Sequence, residues 1–362
     1  MKDNRADENR YINLIKKVGV SFTLFRSNKK IQRFSLRKRH STKNVIKVFM
    51  PPELKYNYSS VDMEKFATNG YKLAIRRFVR IMETNFSRED LANFYNNFQS
   101  VEVSSKKLGF ILLNILLRRN IVGMYNTKDN VIRIDSKYAS SIYHELLHMA
   151  STIKTNGVYY SGFNQISYEG GEKSFGRGIN EGYTEFLAQR YFTDASIKST
   201  AYFYETRIAF HIEDIVGRGK MEKLYLRSNL KGLIDELKRY SSEENVLEFI
   251  SNMDQFSDYV NDRKLRKKKI KEIEDLFIKI NVFVLNTYIA KTKERFYIGE
   301  MSIENLSVDF VNFRNSLITS LKIKKLNIDV NRVAACLDNV TSNALCECGE
   351  SLLDNKVGKG KR

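Results

Sequence analysis

The sequence predicts an α+β protein, with helical segments first, a small β-rich middle, and a mostly helical region from about residue 200 onward. Three observations carry this. Apolar residues recur at helical spacing along most of the 362 residues, whereas short β-branched runs are confined to the stretch from Ile121 to Phe175. Only two prolines, the adjacent Pro51 and Pro52, interrupt the chain, so little breaks long helices. Hydrophobic residues make up 42%, enough to bury a sizeable core.

Taken in order, residues 62–84 and 88–100 read as helices, the second opened by Ser87 and Asp90 at capping-box spacing. A third helix is expected over 105–118. Its apolar run Leu108–Leu117 is ten residues, short of the roughly 20 that a membrane helix needs, so it reads as a buried helix. Ile121–Tyr125 and Val131–Ile134, joined by the turn-rich Asn126-Thr127-Lys128-Asp129-Asn130, predict a hairpin. Asp135 or Ser136 can then cap a helix running to about Ile153. Val158–Gln165 and Glu172–Phe175 predict a second hairpin around Glu169-Gly170-Gly171. From Glu181 onward the pattern is helical, with breaks near Gly217-Gly219 and Ser241. This divides the chain into a basic N-terminal region (1–60), a core (61–200) and a helical C-terminal region (201–362).

The chain carries 61 Lys and Arg against 42 Asp and Glu, a net charge of +19. Residues 1–60 hold 15 of those bases and only four acids, and Arg263–Lys271 has seven bases in nine positions. Such runs suit polyanions, but they carry no base-reading motif, and a solvated surface is the plainer explanation. The segment 141–190 is nearly neutral. No signal-peptide pattern opens the chain and no membrane span is expected. The three cysteines, Cys336, Cys346 and Cys348, cannot staple a domain and suggest a reducing compartment, so a cytoplasmic location is expected.

The chemistry is written in a scarce residue. There are four histidines, and two of them stand in His144-Glu145-Leu146-Leu147-His148, an H-E-x-x-H motif. On a helix, i and i+4 share a face, so both imidazoles can reach one metal ion. Glu145 then lies beside that ion, where it can take a proton from a metal-activated water as a general base. A catalytic zinc needs a third protein ligand and an open position. The residues that a metzincin would need after His148 are absent, which leaves His211 or a carboxylate.

Further on, Asn180-Glu181-Gly182-Tyr183-Thr184-Glu185 opens a helical run in which Glu181 and Glu185 again share a face. Here the chain resembles the gluzincins, the thermolysin-like metallopeptidases, with their H-E-x-x-H followed by Asn-Glu-x-x-Ser/Thr-Asp/Glu. It is also similar to the Asn-Glu-Gly segment of zinc aminopeptidases. The resemblance covers about residues 120–190. It implies a zincin-like core, a small sheet whose edge strand lies over the motif helix, and one Zn2+ per chain held by His144, His148 and Glu181. It implies that Glu185 orients His144, and that an edge strand including Gly123, Met124 and Tyr125 binds substrate. Zinc-dependent hydrolysis of a peptide or protein substrate is the implied activity, with Glu145 as base.

The chain departs from the family in two ways. Between His148 and Glu181 lie 32 residues, more than the family's usual linker, and the 158–175 hairpin fills the extra length. No spacing fixes the residue that stabilises the oxyanion. Tyr204 and His211, seven apart on one predicted helix face, are candidates, as are Tyr159, Tyr160 and Tyr168. The alternative reading is a basic nucleic-acid-associated protein in which the zinc site is structural or acts on DNA-bound proteins, with polyanion contact through the basic N-terminal region.

Overall fold

The computed structural model describes residues 48–51, 71–104, 123–134, 141–155, 157–167, 173–192, 202–323 and 326–359. All of them lie in one compact unit, residues 47–362. The predicted basic N-terminal region up to residue 47, the 105–118 helix, the Asp135/Ser136 cap, Tyr168 and the turn at Glu169-Gly170-Gly171 lie outside the described residues.

Helix α1 (Lys72–Asn85) buries Ile75, Phe78 and Met82, the spacing of a single helix face. A turn leads into α2 (Ala92–Phe98), and Ser87 caps that turn as its sequence spacing suggests. Its hydroxyl accepts from the Asp90 backbone N–H at 3.2 Å and donates to the Asp90 carboxylate at 2.7 Å. Three short strands follow, β1 (Glu102–Ser104), β2 (Gly123–Asn126) and β3 (Val131–Ile134), forming a sheet of order β1-β3-β2. β2 and β3 are the expected antiparallel hairpin, with Gly123 opposite Ile134. Asn130 closes the turn in the left-handed region at φ 56°, a conformation that asparagine tolerates. β1, which carries no alternating signal of its own, adds in parallel on the other side of β3. Among the described residues, β2 is therefore an edge strand.

The motif helix α3 (Ile142–Ala150) is buried from Ile142 to Ala150 apart from the partly exposed Tyr143. Tyr143, next to His144, stacks on Phe192 at 4.7 Å, and Phe192 stacks in turn on Phe78 of α1 at 5.1 Å. The helix ends three residues earlier than its periodicity suggests. The Ser151 hydroxyl donates to the Leu147 carbonyl at 3.0 Å and the Thr152 hydroxyl to the His148 carbonyl at 2.7 Å, satisfying last-turn acceptors from outside the helical ladder. β-Branched Thr152 and Ile153 then start a strand, β4 (Thr152–Lys154).

The single strand expected over Val158–Gln165 is itself a hairpin. β5 (Val158–Ser161) turns at Gly162-Phe163 into β6 (Asn164–Ser167), and β7 (Lys173–Phe175) completes an antiparallel β4-β5-β6-β7 sheet. Gly162 makes the reversal possible. Its φ is +56°, and a Cβ there would lie 2.2 Å from the Asn180 side-chain oxygen and 2.4 Å from the Tyr225 ring.

The remainder is helical: α4 (Arg177–Phe192), α5 (Phe203–Val216), α6 (Arg218–Leu226), α7 (Leu230–Leu237), α8 (Glu243–Asn261), α9 (Arg263–Lys268), α10 (Ile270–Tyr297), α11 (Ile303–Ile323) and α12 (Val330–Lys359). The mixture of helices and two small sheets is compatible with the α+β class, and residues on both sides of position 200 share one hydrophobic core. No helix among the described residues is long and apolar enough to cross a membrane.

Two contacts fix α4, which carries the second half of the site. Gly182 lets α5 approach closely, since a Cβ there would meet the Glu205 carbonyl oxygen at 2.3 Å. At the start of α4, Asp254 of α8 accepts from the backbone N–H groups of Gly176 (2.8 Å) and Gly178 (2.7 Å), a cap supplied from another helix. Burial pushes the Asp254 carboxyl up to about 6, against the opposing pull of those two donors. Between its unfolded value near 4 and about 6, the folded protein therefore holds the extra proton. This contribution to stability is present below that window and is lost as pH rises through it, on the order of 2–3 kcal/mol in all. Urea unfolding at pH 4.5 and 7 should show this slope in the wild type. In Asp254→Asn the change in stability between the two pH values should differ from the wild type by about that amount, and identical slopes would contradict the assignment.

Candidate metal centre

α3 and α4 meet with His144, His148 and Glu181 converging on one point, and these three are the group able to hold a metal ion among the described residues. The His144 and His148 Nε2 atoms are 3.0 Å apart. Glu181 Oε2 lies 3.1 Å from the first and 3.4 Å from the second. Four ligands placed tetrahedrally at roughly 2.0–2.1 Å from zinc would stand about 3.3 Å from one another. The observed triangle has that size.

The proton arrangement leads to the same conclusion. Glu185 Oε2 lies 3.0 Å from His144 Nδ1 and takes the hydrogen there, which leaves Nε2 of a neutral His144 as a lone pair. That lone pair faces the Glu181 carboxylate and the Nε2 of His148, so the three ligand atoms are placed to share one cation. The electrostatics of the metal-free side chains supply this cation as a proton. Burial opposes charge on His144, but its hydrogen bonds to Glu181 and Glu185 and the nearby carboxylates outweigh burial and hold it well above the ordinary histidine range. Burial likewise opposes charge on Glu181, and the two histidines hold it well below the ordinary carboxylate range. Asn180 ties the centre to the second sheet: its oxygen accepts from the Phe163 N–H at 2.9 Å, and its amide nitrogen lies 3.4 Å from His148 Nδ1.

Glu145 stays outside the triangle. Its carboxylate lies against edge strand β2, so closely that a Cβ on Gly123 would come within 2.7 Å of Oε1. The Tyr125 backbone N–H donates to it. Burial, only partly offset by His144 and His148, pushes its pKa above the ordinary carboxylate value, the direction that suits a base working near neutrality. Gly123, Met124 and Tyr125 thus lie on the strand that borders the motif helix.

Among the described residues, a tyrosine that sequence reasoning passed over packs against the centre. The ring of Tyr202 stacks on His144 at 5.6 Å, with the planes 13° apart. The charge of Glu181, then burial and the charge of Glu145, hold its phenol well above the usual tyrosine range, so it keeps its proton. Its backbone is left-handed at φ 49°, uncommon for a bulky residue. Tyr204 and His211, by contrast, turn into the core. Tyr204 packs edge-on against Phe256 and Phe277, and His211 lies against Phe210 and Phe313 with its Nδ1 3.7 Å from Asp214. Tyr159 and Tyr160 belong to β5 of the second sheet. Tyr202 precedes the first residue of α5, outside the helical repeat that carries Tyr204 and His211 inward. Its position at the helix start is the one signal that distinguished it.

Compared with models of known protein families, with curated proteins and with solved structures, the chain matches none of them.

Proposed function

We propose that the protein is a zinc-dependent peptidase of gluzincin type. The observation that carries this reading is the convergence of ligand atoms from His144, His148 and Glu181, with the Glu145 carboxylate beside them against β2, an edge strand among the described residues. A His2Glu donor set suits zinc. Bound there, zinc would supply Lewis acidity, making a water easier to deprotonate and a carbonyl easier to attack.

The chain's own residues account for the rest. An extended peptide pairs with the edge of β2, around Gly123–Tyr125, and so presents its carbonyl to the centre. Glu145 removes a proton from the attacking water and delivers it to the departing amine nitrogen. The Tyr202 hydroxyl donates to the oxyanion that forms as water adds to the carbonyl. Glu185 holds His144 in the tautomer that leaves Nε2 free.

The test is metal analysis joined to a peptide-hydrolysis assay. The purified protein should carry about one equivalent of zinc, lose hydrolysis with a chelator, and regain it when zinc is restored. A well-folded preparation that takes up no zinc when it is supplied removes the proposal.

A further inference from the structure

The short helix α9 and the turn after it form a surface that the peptidase reading does not use. Its residues from Arg263 to Lys271 include seven Lys or Arg, and α9 itself buries none of its side chains. Elsewhere among the described residues, exposed cations are neutralised by carboxylates, as in Lys220–Glu236 (3.0 Å) and Lys238–Glu243 (2.6 Å). In the α9 run, Lys269 pairs with Glu272 at 2.8 Å, whereas Lys264, Arg266, Lys267, Lys268 and Lys271 make no ion pair with any described residue.

This arrangement works against the helix. Lys264 and Lys268 are four apart, as are Arg263 and Lys267, and like charges at that spacing destabilise a helix. In return, the six residues bury no side chain fully, and only Leu265 is partly covered. One cap holds the turn: the Asp262 carboxylate accepts from the backbone N–H groups of Lys264 and Leu265, both at 2.8 Å. A surface that stores repulsion without burial is stabilised when anions approach it.

We propose that the Arg263–Lys271 corner is a docking surface for the phosphate backbone of nucleic acid. A helix that lies on a membrane keeps an apolar face to insert, and α9 has none, since Leu265 is half-buried against the protein. No aromatic residue stands between Asn261 and Glu272 to stack a base, so contact is with phosphate and independent of sequence. The inference does not depend on the metal centre.

The experiment measures binding of full-length protein to a labelled duplex of arbitrary sequence across a salt series. The wild type is compared with a triple variant, Lys264→Gln, Lys267→Gln and Lys268→Gln. Each lost phosphate contact removes about 0.9 from the slope of log affinity against log salt, so the variant's slope should be about 2.7 shallower. The matching Lys→Arg triple variant should keep the wild-type slope. Because binding through the basic N-terminal region is common to all three proteins, the difference between them isolates α9. Equal affinity and slope in the wild type and the Gln variant overturn the proposal. So does binding of the wild type to phosphatidylserine vesicles but not to the duplex.

Discussion

Glu145→Gln should keep about one equivalent of zinc and lose peptide hydrolysis by roughly 10²- to 10⁴-fold in kcat, the range for removing a positioned general base. Glutamine matches the shape of Glu145, and its carbonyl can still accept the Tyr125 N–H that holds the carboxylate against β2. The metal-binding triangle does not include this residue, so metal content should not change. What disappears is a proton acceptor whose buried setting raises its basicity. Since the side chain does not hold the substrate, KM should shift little, and the loss should fall on kcat and kcat/KM alike. Tyr202→Phe in the same series should also keep zinc and lose about 10²- to 10³-fold, the scale of one oxyanion donor. A Glu145→Gln enzyme with more than a tenth of wild-type kcat would remove Glu145 from the chemistry.

Local signals explain which parts of this site were legible in the sequence. His144, Glu145 and His148 lie within five residues of one helix, and Asn180, Glu181 and Glu185 lie within two turns of another, so periodicity alone places His144 with His148, and Glu181 with Glu185, on one face. The β2–β3 hairpin was legible for the same reason, being two β-branched runs around a five-residue turn-rich connector. Three features were not. The end of α3 depends on Ser151 and Thr152 back-bonding to carbonyls, a choice that hydrophobic spacing does not record. The turn at Gly162 is set by its close approach to Asn180 and Tyr225, which are 18 and 63 positions away in the chain. The cap on α4 comes from Asp254, some 76 residues beyond the N–H groups it accepts. Contacts between residues so far apart leave no trace in local pattern. Tyr202 was missed for a related reason, since twenty tyrosines give no contrast until tertiary packing sends most of them elsewhere.

Glu181→Ala should lose zinc under conditions in which the wild type retains it, and hydrolysis with it, while His211→Ala should keep both. On sequence alone, either residue was open as the third ligand. The geometry separates them, because Glu181 Oε2 sits 3.1 Å from His144 Nε2, while the His211 ring is enclosed by Phe210 and Phe313. Glu185→Gln gives the graded outcome. It touches the far nitrogen of His144 and not the metal-facing one, so its loss should weaken zinc binding by about 10- to 100-fold without abolishing it. Thermal unfolding with and without added zinc reads all three variants on one scale. A ligand that binds only the folded state stabilises by about 4 kcal/mol at a thousand times its Kd. The wild type and His211→Ala should therefore gain in melting temperature on zinc addition, Glu185→Gln should gain less, and Glu181→Ala should gain little. Because the metal-free wild type holds His144 and Glu181 as a buried ion pair, metal-free Glu181→Ala should unfold more easily than the metal-free wild type, and the diagnostic quantity is the gain on zinc addition. A Glu181→Ala protein that still takes up a full equivalent of zinc would mean that the third ligand lies elsewhere in the chain.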